Sequence, residues 1–186
     1  MKAPIGLLVV VWLVALPPGA GAPLSASAAF GERSSRDTPA ALLSLSDEEL
    51  ARRVELDVTS LGSLSIGAPG SAMLINPVTL APGPYWEISE RAEVFGTAET
   101  IEAIDAALGK VHELFPEAHP IIVGDISDAD GGRLKRHQSH QGGRDVDLGF
   151  FLRAGVAQQF VPGTAANFDL AKNWALVRSL VTGAGR

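Results

Sequence analysis

The sequence predicts an α+β fold: a small, mainly antiparallel sheet flanked by helices. Three observations predict it. Residues 97–115 carry apolar side chains at helical spacing. A second stripe of the same period runs from Leu170 to Val181. Before and between them lie short apolar runs broken by Gly, Pro and Asn, the pattern of brief strands and turns. The 186 residues suit one domain with flanking segments, and 46% hydrophobic content is enough for a core.

The chain opens with Met1-Lys2, an apolar run from Ile5 to Leu16, and then Pro17-Pro18-Gly19 with small residues. A basic start, a short apolar run and a small-residue stretch make a secretory signal peptide, expected over residues 1–28. The run is shorter than the roughly 20 residues that a spanning helix needs. Residues 29–58 form the expected linker, rich in Ser, Ala and Pro, with one short helix. Ser46-Asp47-Glu48-Glu49 opens that helix as a capping box, Ser46 and Glu49 each serving the other's amide.

Residues 59–186 carry the expected functional domain. Ser63–Gly67 and Ala72–Ile75 are candidate strands, Asn76-Pro77 and Pro82-Gly83-Pro84 are turns, and Tyr85–Ile88 is extended. Thr97 caps the clearest helix, whose buried stripe is Ile101, Ile104, Leu108, Val111 and Phe115. Pro116 and Pro120 end it, and Ile121-Ile122-Val123 is a short apolar strand. Val146–Leu152 is predicted as a strand with Val146, Leu148, Phe150 and Leu152 on one face and Asp145, Asp147 and Phe151 on the other. Asn167 or Asp169 caps the last helix, with Leu170, Trp174, Val177 and Val181 as its expected buried stripe.

Composition excludes several chemistries. A net charge of -6 without a basic cluster argues against a nucleic-acid partner. The absence of cysteine excludes disulfides, thiolate metal sites and a cysteine nucleophile. There is no Ser-centred Gly-x-Ser-x-Gly, no phosphate-cradling glycine loop and no His-Glu-x-x-His pair.

What remains is Arg136-His137-Gln138-Ser139-His140-Gln141-Gly142-Gly143-Arg144-Asp145-Val146-Asp147-Leu148. Imidazole nitrogen and carboxylate oxygen are good ligands for a divalent metal such as zinc. The seven-residue step from His140 to Asp147 suits a histidine on a loop, a reversal at Gly142-Gly143 and an aspartate on the next strand. His137 serves as a further ligand, as a support to the ligands or as a substrate-side group. Gln138, Ser139, Gln141 and Asp145 can orient the ligands by hydrogen bonds. The competing reading is a solvated polar loop, with Asp145 at the surface. His112 and His119 read as structural or exposed, the alternative being that one of them completes the metal site.

Ser139-His140-Gln141-Gly142-Gly143-Arg144-Asp145-Val146-Asp147 closely resembles the signature of the penicillin-insensitive murein endopeptidases. Those belong to a wider lysostaphin, D-alanyl-D-alanine metallopeptidase and hedgehog-like group. Ser63–Gly67, Gly96-Thr97, Gly124-Asp125-Ile126-Ser127 and Asn173-Trp174-Ala175-Leu176-Val177 also resemble the family, from about Leu61 to the C-terminus. The resemblance implies a periplasmic or secreted zinc metalloendopeptidase cutting D-alanyl-diaminopimelate cross-links of peptidoglycan. It implies His140 and Asp147 as zinc ligands and His137 as an additional histidine at the metal. Its partners would be cross-link peptides, with no nucleic acid and no stable membrane insertion once the signal is removed.

One departure stands out. The family takes a third zinc histidine and a catalytic one from a later His-x-His element, and no histidine follows His140 here. The resemblance therefore implies a domain lacking its C-terminal strands, with the general acid/base beyond residue 186, weak zinc binding and little cleavage. The alternative it leaves is a catalytically inactive peptidoglycan-binding module.

Overall fold

The computed structural model describes residue 42 and residues 44–90, 92–135, 137–153, 155 and 160–183. The expected signal peptide and the first part of the linker lie outside them. Among the described residues are the helices α1 (Asp47–Leu56), α2 (Ala98–Leu114) and α3 (Leu170–Thr182), and a 3-10 turn at Val58–Leu61. The strands are β1 (Leu64–Ala68), β2 (Ser71–Ile75), β3 (Val78–Thr79), β4 (Trp86–Ile88), β5 (Phe95–Gly96) and β6 (Ile121–Val123). This is an α+β mixture, as the element pattern predicts. The strands pair two by two: β1 with β2 and β3 with β5 antiparallel, β4 with β6 parallel. A parallel pair needs a long crossover, and α2 lies within it.

The caps follow the sequence, with one difference. Ser46 accepts from the Glu49 amide (3.2 Å), Thr97 from Thr100 (3.3 Å) and Asp169 from Lys172 (3.2 Å). The return arm of the expected capping box is replaced. The Glu49 carboxylate instead takes Arg52 at 2.8 Å and Arg53 at 3.1 Å. Those guanidiniums, Arg52 first, hold its carboxyl down at about 2. Two cations on the neighbouring turn outcompete one backbone N–H for the same oxygens.

The core joins Ile104, Leu108 and Val111 of α2, Ile121 and Val123 of β6, Val146, Phe151, and Leu176 and Leu180 of α3. The predicted α2 stripe is this buried face, with Ile101 and Phe115 packed at its margins. The predicted α3 stripe is reversed. Leu170, Trp174 and Val181 are 69%, 63% and 70% exposed, and Ala175, Leu176 and Leu180 are buried with Asn173 and Ser179. The reason is polar. The Asn173 amide accepts from Phe151 N–H (3.0 Å) and donates to the Phe151 carbonyl (2.8 Å). The Phe151 carbonyl also accepts from Asp169 N–H (3.1 Å), but the Phe151 N–H would otherwise be buried without a partner, so α3 turns its asparagine inward.

The same contact explains a second correction. Residues 146–152 do not form a full strand. Leu148 bridges Val123 and Leu152 bridges Phe168, with no continuous ladder between them. Phe151 is fully buried in the core, whereas Phe150 packs edge-on against Phe168, 5.2 Å between centroids. The alternation holds from Asp145 to Leu148 and fails where the Asn173 side chain replaces a neighbouring strand.

The two faces of α3 make different predictions. Leu176→Ala should cost about 2–5 kcal/mol of stability in urea denaturation. Trp174→Ala should cost about 0.5 kcal/mol or less. The reverse order would put the other face against the core.

Candidate metal centre

β6 runs on into Gly124-Asp125, and the chain returns beside it through residues 145–149. Gly124 N–H donates to the Asp147 carbonyl (2.8 Å), Asp147 N–H to the Asp125 carbonyl (3.0 Å) and Gly149 N–H to the Ile122 carbonyl (2.8 Å). This antiparallel contact sets Asp147 against the end of β6. Leu148 packs on the core, so the alternating Asp147 side chain turns the other way.

The histidine loop is shaped by two left-handed residues, His140 at φ +59° and Gly143 at φ +66°. Glycine takes that conformation freely; a histidine does so only when its surroundings hold it there. They do. The Asp145 carboxylate accepts the His140 N–H at 2.9 Å. The Gln141 carbonyl accepts from Gly132 N–H (2.9 Å), and the Gly143 carbonyl from Thr97 N–H at the start of α2 (2.9 Å). A side chain at Gly142 would run into Ser65 and Ala72 of the β1–β2 hairpin. The reversal expected at the glycine pair is present, and the hairpin closes directly over it.

Within this frame His137, His140 and Asp147 come together, with one potential ligand atom of each inside 4.8 Å of the others. His140 Nε2 lies 3.1 Å from Asp147 Oδ1. The two imidazole rings stand nearly perpendicular, centroids 4.7 Å apart. His140 and Asp147 are buried, and His137 is half-buried, so the group opens to solvent on the His137 side. His140 Nδ1 is 3.2 Å from Asp145 Oδ2 but off the hydrogen-bonding line, and it is without a hydrogen bond. Burial works against the His140 cation; the hydrogen bond to Asp147 and the charges of Asp145 and Asp147 outweigh it and raise its pKa.

These donors fit a divalent metal. Two imidazoles and a carboxylate are a common ligand set, and a buried histidine between two carboxylates is a place where positive charge is stabilised. The other polar residues sort by contact. Asp145 is buried, not at the surface, and bonds the loop backbone. Gln141 is also buried and donates to the Gln138 carbonyl (3.1 Å) rather than to a histidine. His112 and His119 lie outside the group. His112 Nδ1 bonds the Leu108 carbonyl (3.0 Å) while its ring stacks on Tyr85. His119 Nε2 accepts from Leu152 N–H (3.2 Å), which leaves its Nδ1 proton for the Pro120 carbonyl (2.6 Å).

Sequence reasoning gave Asp125 no role, yet its Oδ2 lies 2.9 Å from His137 Nε2. The available signal was its position at the end of a buried apolar strand. A carboxylate there is rare without a partner.

The model of the penicillin-insensitive murein endopeptidase family matches residues 65–179, more than half of the chain. No curated protein matches it. The match spans the hairpin, α2, β6, the histidine loop and most of α3, and so includes every residue of the candidate centre. The chain belongs to the penicillin-insensitive murein endopeptidase family.

Proposed function

We propose that this protein is a periplasmic or secreted zinc metalloendopeptidase that hydrolyses D-alanyl-diaminopimelate cross-links of peptidoglycan. The observation that carries the reading is the convergence of His137, His140 and Asp147 in a chain of this family. Family membership makes it a peptidase of murein; the metal, the bond cut and the location belong to the proposal. Zinc suits two nitrogens and an oxygen in a chain without thiolates. When bound, it supplies Lewis acidity toward a carbonyl and lowers the pKa of water.

The protein's own residues do the rest. His137 and His140 offer lone pairs, and Asp147 adds negative charge. Asp145 holds the His140 backbone in its left-handed turn. The half-buried His137 side is where a cross-link amide would enter. The basic start and apolar run within residues 1–28 support export, residues 29–58 a linker, and residues 59–186 the catalytic domain. No helix among the described residues is long and apolar enough to cross a membrane.

Zinc titration should saturate weakly, at about one equivalent. His140→Ala and Asp147→Ala should each abolish that binding, as read by competition with a chelating dye. Cross-linked dimer muropeptides should convert slowly to monomers, and a chelator should stop the conversion. Unchanged zinc content in both variants would overturn the ligand assignment.

The raised His140 pKa sets two opposite pH slopes. In the metal-free protein its contribution to stability is complete below the ordinary value of 6.5 and is lost as pH rises through the raised one. Zinc must displace that proton, so zinc affinity falls as pH drops through the same range. Melting curves from about pH 5.5 to 8.5, with and without zinc, should therefore diverge at high pH. Parallel curves would exclude His140 as the ligand.

A further inference from the structure

We propose that Asp125 is the positioning carboxylate of His137, fixing which ring nitrogen carries its proton. The inference rests on the metal reading above and adds a residue to it. Asp125 is buried, and both of its carboxylate oxygens are engaged. Oδ1 accepts the Glu93 N–H at 2.9 Å, and Oδ2 faces His137 Nε2 at 2.9 Å. Its backbone carbonyl accepts the Asp147 N–H at 3.0 Å. One residue thus braces two members of the metal group, His137 through its side chain and Asp147 through its main chain. The Asp125 carboxylate is itself outside that group of mutually close ligand atoms.

The chemistry follows from donor and acceptor roles. An ionised carboxylate only accepts, so the proton of a neutral His137 sits on Nε2. That leaves Nδ1 as the nitrogen with a lone pair to give. Carboxylates in this relation to a metal-site histidine fix its tautomer and ring orientation and raise its basicity. The Glu93 N–H gives the arrangement its direction, because it requires an acceptor at Oδ1 and so holds Oδ2 toward the histidine.

Asp125→Asn tests this with almost no change of shape. The Glu93 N–H keeps the amide oxygen at the Oδ1 position, which points the amide NH2 at His137 Nε2. Nε2 must then accept, the proton moves to Nδ1, and the lone pair there is lost. Long-range proton–nitrogen correlation spectra of the metal-free chain at weakly alkaline pH read the tautomer directly. The expected result is Nε2–H for His137 in the parent and Nδ1–H in Asp125→Asn. Zinc affinity, by competition with a chelating dye, should fall about 10- to 100-fold with the metal-free melting temperature unchanged. Asp125→Glu, which restores an acceptor, should recover the Nε2–H tautomer. Nδ1–H in the parent, or an unchanged tautomer in Asp125→Asn, would overturn the inference, and the parent spectrum decides even if the variant does not fold. A parent with Nε2–H that binds no zinc would sustain the Asp125 contact and sink the metal reading instead.

Discussion

The fold of the site depends on one short backbone contact, the antiparallel run between residues 122–125 and 147–149. Its three bonds join a strand end to the segment that follows the histidine loop. Everything from Asp125 to Asp147 is thereby closed into a loop with fixed ends. The two aspartates sit side by side, and the intervening histidines must fold back over them. Pairing of this kind costs loop entropy, which grows slowly with length. The apolar neighbours offset it, since Ile121, Val123 and Val146 are all nearly inaccessible.

The second constraint is close packing over the glycine pair. The β1–β2 hairpin, the 130–132 turn and the start of α2 each send a bond or a contact to residues 141–143. The hairpin packs Ser65 and Ala72 against Gly142 while the turn and the start of α2 bond the loop backbone, so the histidine loop is held at its base. That is what permits His140, a side chain with a Cβ, to occupy the left-handed region while fully buried. A preorganised cluster of His137, His140 and Asp147 follows from the architecture. Two carboxylates flank it from outside: Asp145 bonds the His140 main chain, and Asp125 faces the His137 ring.

Much of this was legible in the sequence because it is local. The α2 stripe, the three side-chain caps, the hairpin and the reversal at Gly142-Gly143 all follow from neighbours within a few residues. The His140 to Asp147 step was also readable, since the glycine pair and the strand-like alternation bracket it. The failures share a different cause. The α3 helix is apolar on two faces, and periodicity could not choose between them; the Asn173 bond to a backbone 22 residues away did. Asp125 was passed over for the same reason, because its partner His137 lies across a loop that no local pattern describes. Phe151 was placed on the wrong face because an asparagine stands where a strand neighbour would continue the ladder.

The crowding at residues 142 and 143 has a consequence for how this site can vary. A side chain at Gly142 meets Ser65 and Ala72, and one at Gly143 meets the backbone of Gly96. Neither position can accept a larger residue unless the hairpin or the start of α2 shifts as well. The loop is closed to stepwise drift on its inner side. Freedom to change remains on the outward residues, such as exposed Gln138 and half-buried Ser139. Variation would therefore accumulate along that rim while the floor stays the same.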